Sequence, residues 1–346
     1  MADKYQAVGW NGFKLRYDLW IGGAVAAFVI AYSVAAVLSP PTGDSFHPVQ
    51  IAMRASGAAA FALLTAVLAI GPLARFVPGV APLLYNRRHA GVMVGLIALV
   101  HAALAIGWYY SFSPLNPFVA LLASRAPSLA VTAVPFELLG LAALAILLVM
   151  AATSHDHWLK VLGAPRWKAL HMAVYGAYAL LVGHVAFGML QVERAALYPR
   201  MLLGAAGGLA LLHLAGALRE ALADRLADRK GDWLDAGPAA DIPEGRAVII
   251  APAGGERIAV WRHEGRLFAL SGVCPHQNGP LGEGRILDGC ITCPWHGWQY
   301  RPMDGRSPPP FDERVDTYPV RIEAGRALVG AQPLPAGATS EGVLIL

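Results

Sequence analysis

Charge is scarce in this chain. Asp, Glu, Lys and Arg together make up 14% of its 346 residues, where a soluble domain carries about a quarter. With 56% hydrophobic residues and a mean hydropathy of +0.49, that shortage excludes an ordinary soluble globule and points into lipid. Cysteine is scarce as well: Cys274, Cys290 and Cys293 are all there are, and they fall within twenty residues. So few exclude a disulfide framework and leave metal ligation as their role. No basic helix and no interleaving of basic and aromatic residues occurs. The formal charge of +4 is therefore no nucleic-acid footprint, and no such partner is expected; it is read through loop placement instead. The polar start, residues 1–18, lacks a small-residue cleavage site, so the apolar run behind it is expected to be a signal-anchor helix, not a cleaved leader.

What is abundant is long apolar sequence. Runs at 19–38, 51–73, 90–110, 129–151, 169–190 and 199–218 each approach the ~20 residues that cross ~30 Å of hydrocarbon. The expected fold is multi-domain, an all-α six-helix transmembrane bundle followed by a small all-β domain. The expected boundaries are an N-terminal segment 1–18, the bundle 19–218, a helical extension and linker 219–240, the β domain 241–335 and a tail 336–346. Six spans bring both termini to one side. That side collects Lys4, Lys14, Arg16, Arg75, Arg87, Arg88, Lys160, Arg166, Lys168, Arg219, Arg225, Arg229 and Lys230. The other holds little beyond Arg125, Arg194 and Arg200, with Arg54 at the mouth of the second span. The positive-inside rule puts the basic side in the cytoplasm. The expectation is a multi-pass protein of the inner (plasma) membrane, surrounded by lipid, with both termini and the β domain cytoplasmic.

Histidines inside membrane helices are costly and usually functional. His101 lies as far along the chain beyond Arg88 as His184 lies beyond His171. Each therefore sits ~20 Å in from the basic edge, on helices that enter from the same side. Equal depth is what two axial ligands of one haem require; the plain alternative is two buried histidines bonded to carbonyls. His171, nearer the edge, could serve a second haem with His213 or His89 opposite. Arg54, entering from the far side, suits a haem propionate, or else snorkels to the headgroups. Gly204 and Gly208 form a GxxxG pattern that predicts close helix packing.

Beyond "DAGPAADIPEG" (235–245), whose Pro and Gly mark a boundary, come "RAVIIAP", "ERIAVWRH", "RLFALSGV", "GCITCP", "YPVRIEAG" and "RALVGAQ". Such short runs predict a small all-β domain. Two of its loops carry Cys274-Pro-His276 and Cys293-Pro-Trp-His296. Structural zinc usually gathers CxxC and HxxxH pairs. One thiolate and one imidazole per loop suit a [2Fe–2S] cluster with two cysteines on one iron and two histidines on the other. Cys290 reads as a small buried hydrophobe.

The stretches "GPLARF" (71–76), "RRHAGVMVGLIALVH" (87–101) and "AATSHDHWLKVLGAPRWKALHMAVYGAYALLVGH" (151–184) resemble the ferric reductase-like transmembrane family over roughly 50–190. Its nearest branch is the bacterial haem-binding membrane subunit that serves periplasmic methionine sulfoxide reductase. The resemblance implies haem b, one or two, held by His101, His184 and His171, and electron transfer across the membrane. No flavin and nicotinamide module follows in the sequence, so a separate cytoplasmic electron donor, a flavin reductase or similar, is expected. "CPHQNGPLGEG" and "CPWHGWQY", with "DIPEGRAVII" and "DGRSPPP", resemble the Rieske family over about 235–330. That likeness implies cluster ligation by Cys274, His276, Cys293 and His296. High-potential members carry an extra cysteine in each loop; here Asn278 or its neighbours and Trp295 stand instead. Trp298 replaces the serine that bonds cluster sulfur, while Tyr300 keeps the tyrosine. Fewer bonds to sulfur imply a potential low in the range of about −150 to +300 mV, as in the ferredoxin and dioxygenase branch.

The expected function is that of an oxidoreductase or electron-transfer component. It would relay electrons between the Rieske centre and membrane haem toward an unknown periplasmic acceptor, with no catalytic residue of its own. The alternative is a membrane-anchored Rieske ferredoxin delivering electrons to a soluble oxygenase. A redox sensor ranks third, since no signalling domain is present.

Overall fold

The computed structural model describes residues 12–38, 47–111, 113–123, 136–162, 164–188, 190, 196–226, 232–252, 256–276, 279–294, 297–309, 311–335 and 338–345. Contacts divide the chain into a helical unit, Phe13–Leu73 with Arg87–Leu214, and a second unit of Met1–Gly12, Ala74–Asn86 and Ala215–Leu346 that contains the β domain.

Runs of Ala and Leu favour helix, and in lipid a helix satisfies its own backbone polar groups. The described helices are α1 Gly12–Leu38, α2 Pro48–Ala74, α3 Arg87–Tyr110, α4 Pro117–Ala123 and α5 Phe136–Ala152. Behind them come α6 Asp156–Leu162, α7 Ala164–His171, α8 Val174–Phe187 and α9 Leu197–Leu226. Among the described residues, five stretches are long and apolar enough to cross a membrane: Leu15–Leu38, Pro48–Ala74, Arg87–Tyr110, Arg166–Phe187 and Leu197–Arg219. The remaining expected span corresponds to α5, which has 17 residues; the start of that run, from 129, lies outside the described residues. The fifth expected span is two helices, not one. Its bonds tighten to the i→i+3 pattern around Met172 and Ala173, with Ala173 N to Leu170 O at 3.1 Å and Tyr175 N to Met172 O at 3.2 Å.

Leucines on α9 look outward, with Leu203 at 73% and Leu211 at 67% exposure, as side chains facing lipid do. The interior gathers Leu64, Val94, Ala143, Leu147, Ala177, Tyr178 and Leu209. Phe61 stacks on Tyr178 at 5.4 Å, and the Tyr178 hydroxyl reaches Thr65 Oγ1 at 3.0 Å. α5 packs along α8 and α3. Among the described residues Gly204 and Gly208 meet nothing within 4 Å, so the close packing expected of them is not made there.

The β domain comprises β1 Trp233–Pro238, β2 Ala247–Ile250, β3 Ile258–His263, β4 Arg266–Ser271, β5 Val273–Cys274, β6 Gly279–Pro280 and β7 Arg285–Leu287. β8 Cys290–Thr292, β9 Gln299–Tyr300, β10 Thr317–Tyr318, β11 Val320–Glu323, β12 Arg326–Gly330 and β13 Val343–Leu344 complete it. One sheet runs β1-β12-β11, a second β10-β4-β3-β2 with β13 also on β4, and two small sheets hold β5-β6 and β7-β8-β9. β3 and β4 are buried on both faces. Ile258, Val260, Leu267 and Ala269 enter the core toward the β1-β12-β11 sheet. Ala259, Trp261, Phe268 and Leu270 enter a second core with Cys274 and Cys293. Both strands therefore read as continuous apolar runs. Glu264-Gly265, Asp288-Gly289 and Ala324-Gly325 take positive φ in pairs, the two-residue hairpin signature that joins strands with the right twist.

Two expected boundaries are corrected. The linker was expected to reach 240, yet β1 begins at Trp233 and pairs with β12. Its Gly and Pro are used at an irregularity, not a boundary: the register shifts between Asp235 and Pro238, on an edge strand where proline withholds no needed donor. The tail expected at 336–346 contains β13, whose Val343 pairs with Leu267 along the edge where β10 also pairs.

Candidate functional site

The cluster loops are built by two short hairpins. The first loop leaves β5 at Cys274 and returns at Gly279; the second leaves β8, passes Cys293 and returns at β9. Cys293 N donates to Trp298 O at 2.8 Å, and Gly297 N donates back to Cys293 O at 2.9 Å. Gly297 takes φ +70° to close that turn, a backbone that only glycine adopts without strain. Cys274 and Cys293 share one apolar core, each 1% exposed, and none of the three cysteines is in a disulfide. The His276 ring lies face to face on Trp298, centroids 4.1 Å apart and 13° from parallel. Trp298 is itself pinned: its Nε1–H donates to Ser307 Oγ at 3.1 Å, and Phe311 packs at 4.5 Å. The first loop's histidine is thus braced by a residue of the second.

The Tyr300 hydroxyl lies 3.3 Å from Cys274 Sγ. Burial, and then the Cys274 thiol beside it, push this phenol far above its ordinary range, so it stays a donor. Two buried sulfurs, an imidazole and a hydroxyl aimed at sulfur are a donor set that fits an iron–sulfur cluster. His296, the fourth expected ligand, lies outside the described residues. Cys290 is half-buried at the start of β8, less buried than expected; burial raises its thiol pKa and keeps it protonated.

In the helical unit His101 of α3 and His184 of α8 face each other, ring centroids 6.3 Å apart and planes at 80°. His101 Nδ1 meets Met53 O of α2 at 2.8 Å, and His184 Nδ1 meets Phe136 O of α5 at 2.9 Å. A carbonyl only accepts, so each Nδ1 carries the hydrogen and Nε2 keeps the lone pair. Both readings offered for these residues meet here: bonded to carbonyls, and free at Nε2 to ligate, as metal-binding histidines usually are. The gap between them suits a flat metal macrocycle.

Other candidates lie elsewhere. His171 stacks on Trp167 at 3.7 Å and sets Nε2 3.2 Å from Thr153 Oγ1. Trp167 Nε1–H donates to Thr153 O at 2.8 Å, and Arg88 lies over the indole at 5.1 Å. His89 Nδ1 meets Asp18 Oδ2 at 2.8 Å; His213 Nε2 meets the Tyr175 hydroxyl at 3.1 Å. Arg54 follows Met53 directly on α2 and is partly buried. Sequence reasoning missed the brace by Trp298, seen only as a lost serine, and did not identify which carbonyls, those of Met53 and Phe136, take the two histidines.

Comparison with known proteins agrees with this division. The Rieske [2Fe–2S] domain family matches residues 232–319, and the ferric reductase-like transmembrane component family matches 56–182. The chain is 32% identical over 105 residues to the alkene monooxygenase system ferredoxin component of Xanthobacter autotrophicus, covering 30% of this chain and 85% of that one. It is 31% identical over 99 residues to the ferredoxin component of the naphthalene 1,2-dioxygenase/salicylate 5-hydroxylase systems of Ralstonia sp, covering 28% and 94%. To the anthranilate 1,2-dioxygenase ferredoxin subunit of Burkholderia cepacia it is 38% identical over 78 residues, covering 22% and 72%. With its apolar helices matched to one family and its sulfur-bearing loops to the other, this chain is a membrane electron-transfer protein that carries a ferric reductase-like transmembrane domain at residues 56–182 and belongs to the Rieske [2Fe–2S] family over 232–319.

Proposed function

We propose that this chain relays electrons between a cytoplasmic [2Fe–2S] centre and b-type haem in the membrane, toward an acceptor at the periplasmic face. The observation that carries this reading is the facing pair His101 and His184. Two imidazoles each about 2 Å from one metal have centroids about 6 Å apart, and theirs stand at 6.3 Å. When bound, haem and cluster supply one-electron chemistry. The chain holds and insulates. His101 and His184 would hold the haem iron between them through their Nε2 atoms, which would leave no site open for oxygen. Cys274 and Cys293 would hold the cluster through thiolates, and His276 and His296 through imidazoles. Tyr300 directs its O–H at Cys274 Sγ, and the apolar core around both sulfurs keeps water out. Arg54, one residue from the carbonyl that holds His101, is our candidate for a haem propionate. A second haem at His171 is the lesser reading, because Thr153 already takes its Nε2.

The crowding of Lys and Arg on one side supports a cytoplasmic location for both termini and the Rieske domain, which would be reduced there by a separate flavin reductase or similar protein. A second reading draws on the relatives, named as ferredoxin components of monooxygenase and dioxygenase systems: the bundle anchors a ferredoxin that serves a soluble oxygenase. Haem decides between them. His101→Ala and His184→Ala should each remove the low-spin haem α-band from the purified full-length protein and leave the Rieske EPR signal intact. Variants that keep a full complement of low-spin haem would move the ligands elsewhere. A native protein without haem would leave the anchor reading.

A further inference from the structure

The helical unit repeats itself at one constant step along the sequence. The offset that takes His101 to His184 also takes Met53 to Phe136 and Gly57 to Gly140. The buried pairs Leu64 and Leu147, and Val94 and Ala177, keep the same step. In each half the histidine bonds a carbonyl 48 residues upstream, and the glycine stands four residues, one helical turn, after that carbonyl.

Those two glycines are where the rings lie. A Cβ on Gly57 would come within 2.8 Å of His101 Nδ1 and 2.9 Å of its Cε1. A Cβ on Gly140 would come within 2.7 Å of His184 Nδ1 and 2.8 Å of its Cε1. Carbon cannot approach that closely, so any side chain at either position drives the ring off its carbonyl. The plain explanation of a glycine in a membrane helix is close approach of another backbone. Here the three nearest atoms at each position all belong to the imidazole. Gly91 and Gly107 of α3 meet nothing within 4 Å. Both glycines also sit inside helices, where glycine is a poor choice on propensity alone.

We propose that Gly57 and Gly140 are positioning residues for the two facing imidazoles. Each, by lacking a Cβ, seats one ring flat against the helix that holds its carbonyl partner. Seating fixes three things at once: the depth of the ring, its tautomer, and the rotation that sets the two planes 80° apart. The two half-sites are equivalent, so the two glycines act alike. This inference rests on His101 and His184 being the axial ligands of haem.

The test is a pair of measurements on the full-length protein in detergent. Gly57→Ala and Gly140→Ala should each alter the low-spin haem EPR, whose largest g value depends on the angle between the ligand planes, and shift the haem midpoint potential. Gly107→Ala should change neither, and the Rieske signal should be unchanged in all three. Thermal unfolding supplies the second measurement, through a double-variant comparison. Gly57→Ala should lower the melting temperature of the chain that carries His101. It should raise that of the His101→Ala chain, because the clash is gone and alanine is the better helix former. The same inversion is expected for Gly140→Ala with and without His184. Glycine variants with unchanged haem spectra, or ones that destabilise equally with and without the histidine, overturn the proposal while the haem reading stands. If instead His101→Ala and His184→Ala keep their low-spin haem, the haem reading falls and the inference falls with it.

Discussion

At the cluster loops single side chains hold more than one partner. Trp298 presents one face to His276 while its N–H is tied to Ser307. Removing the whole ring by Trp298→Ala deletes a large buried side chain and should destabilise the β domain by about 3–5 kcal/mol. Trp298→Phe keeps an aromatic surface but loses the bond to Ser307 and part of the ring volume, for about 1–3 kcal/mol. Guanidinium unfolding followed by bleaching of the cluster absorbance separates the two, and equal losses would mean that the stack contributes nothing. Tyr300→Phe removes the hydroxyl beside Cys274 Sγ. Hydrogen bonds to sulfur raise the potential of such clusters, so the midpoint should move to a more negative value, read by redox titration of the EPR signal; no change would detach Tyr300 from the cluster. Asp235 adds a pH dependence. Arg326, bonding its carboxylate through Nε at 2.7 Å, holds its pKa below the ordinary value. A depressed carboxyl stabilises the fold above its unfolded pKa of about 3.9 and loses that contribution as pH falls through the folded value. The pair is largely exposed, so the effect is about 0.5 kcal/mol. Asp235→Asn should remove that share of the acid sensitivity and leave the rest.

The elements show why burial patterns mislead at sheet edges. In β1, Leu234 and Ala236 point into the core at 4% and 8% exposure, and Trp233 and Asp235 point away, an alternation of period two. Arg321 lies over the Trp233 ring at 3.9 Å, so even the outward face is covered. Leu234→Ala should therefore cost about 2–5 kcal/mol and lower the denaturant midpoint of cluster bleaching. A cost near zero would return 233–240 to the role of a linker. In the helical unit, α8 pairs with α5 and α3 with α2 through the carbonyl contacts of their histidines. Two helical hairpins thus present one imidazole each. Arg54 and Glu137 occupy the equivalent position next to each carbonyl, one basic and one acidic. If Arg54 meets a propionate, Arg54→Gln should lower the haem midpoint potential through loss of a nearby positive charge, while Arg200→Gln should not.

For the whole molecule the informative quantity is where its few charges lie. On the expected six-span topology the cations of the connections and tails gather on one side, and the anions that dilute them contribute little to orientation. A reporter active only in the cytoplasm, fused after Leu346, should be active, and one that requires the periplasm should be silent. The reverse outcome would invert the proposed direction of the relay.

Length and hydropathy determined the helical membrane unit, because crossing hydrocarbon demands long apolar runs whatever they pack against. Short Gly-bounded runs determined the β domain, and thiol and imidazole spacing marked its loops, because ligands from one tight turn must lie close in sequence. The equal depth of His101 and His184 was legible for a similar reason: rise along a helix is a constant. What that pattern left open was settled by packing. Strand β1 hid behind its Gly and Pro because an edge strand tolerates both, and only its partner β12 shows that it pairs. The break in the fifth span left no hydropathy signal, since both sides of it are apolar. Trp298 could be assigned no role until the fold laid it against His276. Gly57 and Gly140 kept the step of the two histidines in plain view, yet a glycine's meaning lies in what fills the space of its missing Cβ, and that space is defined by another helix.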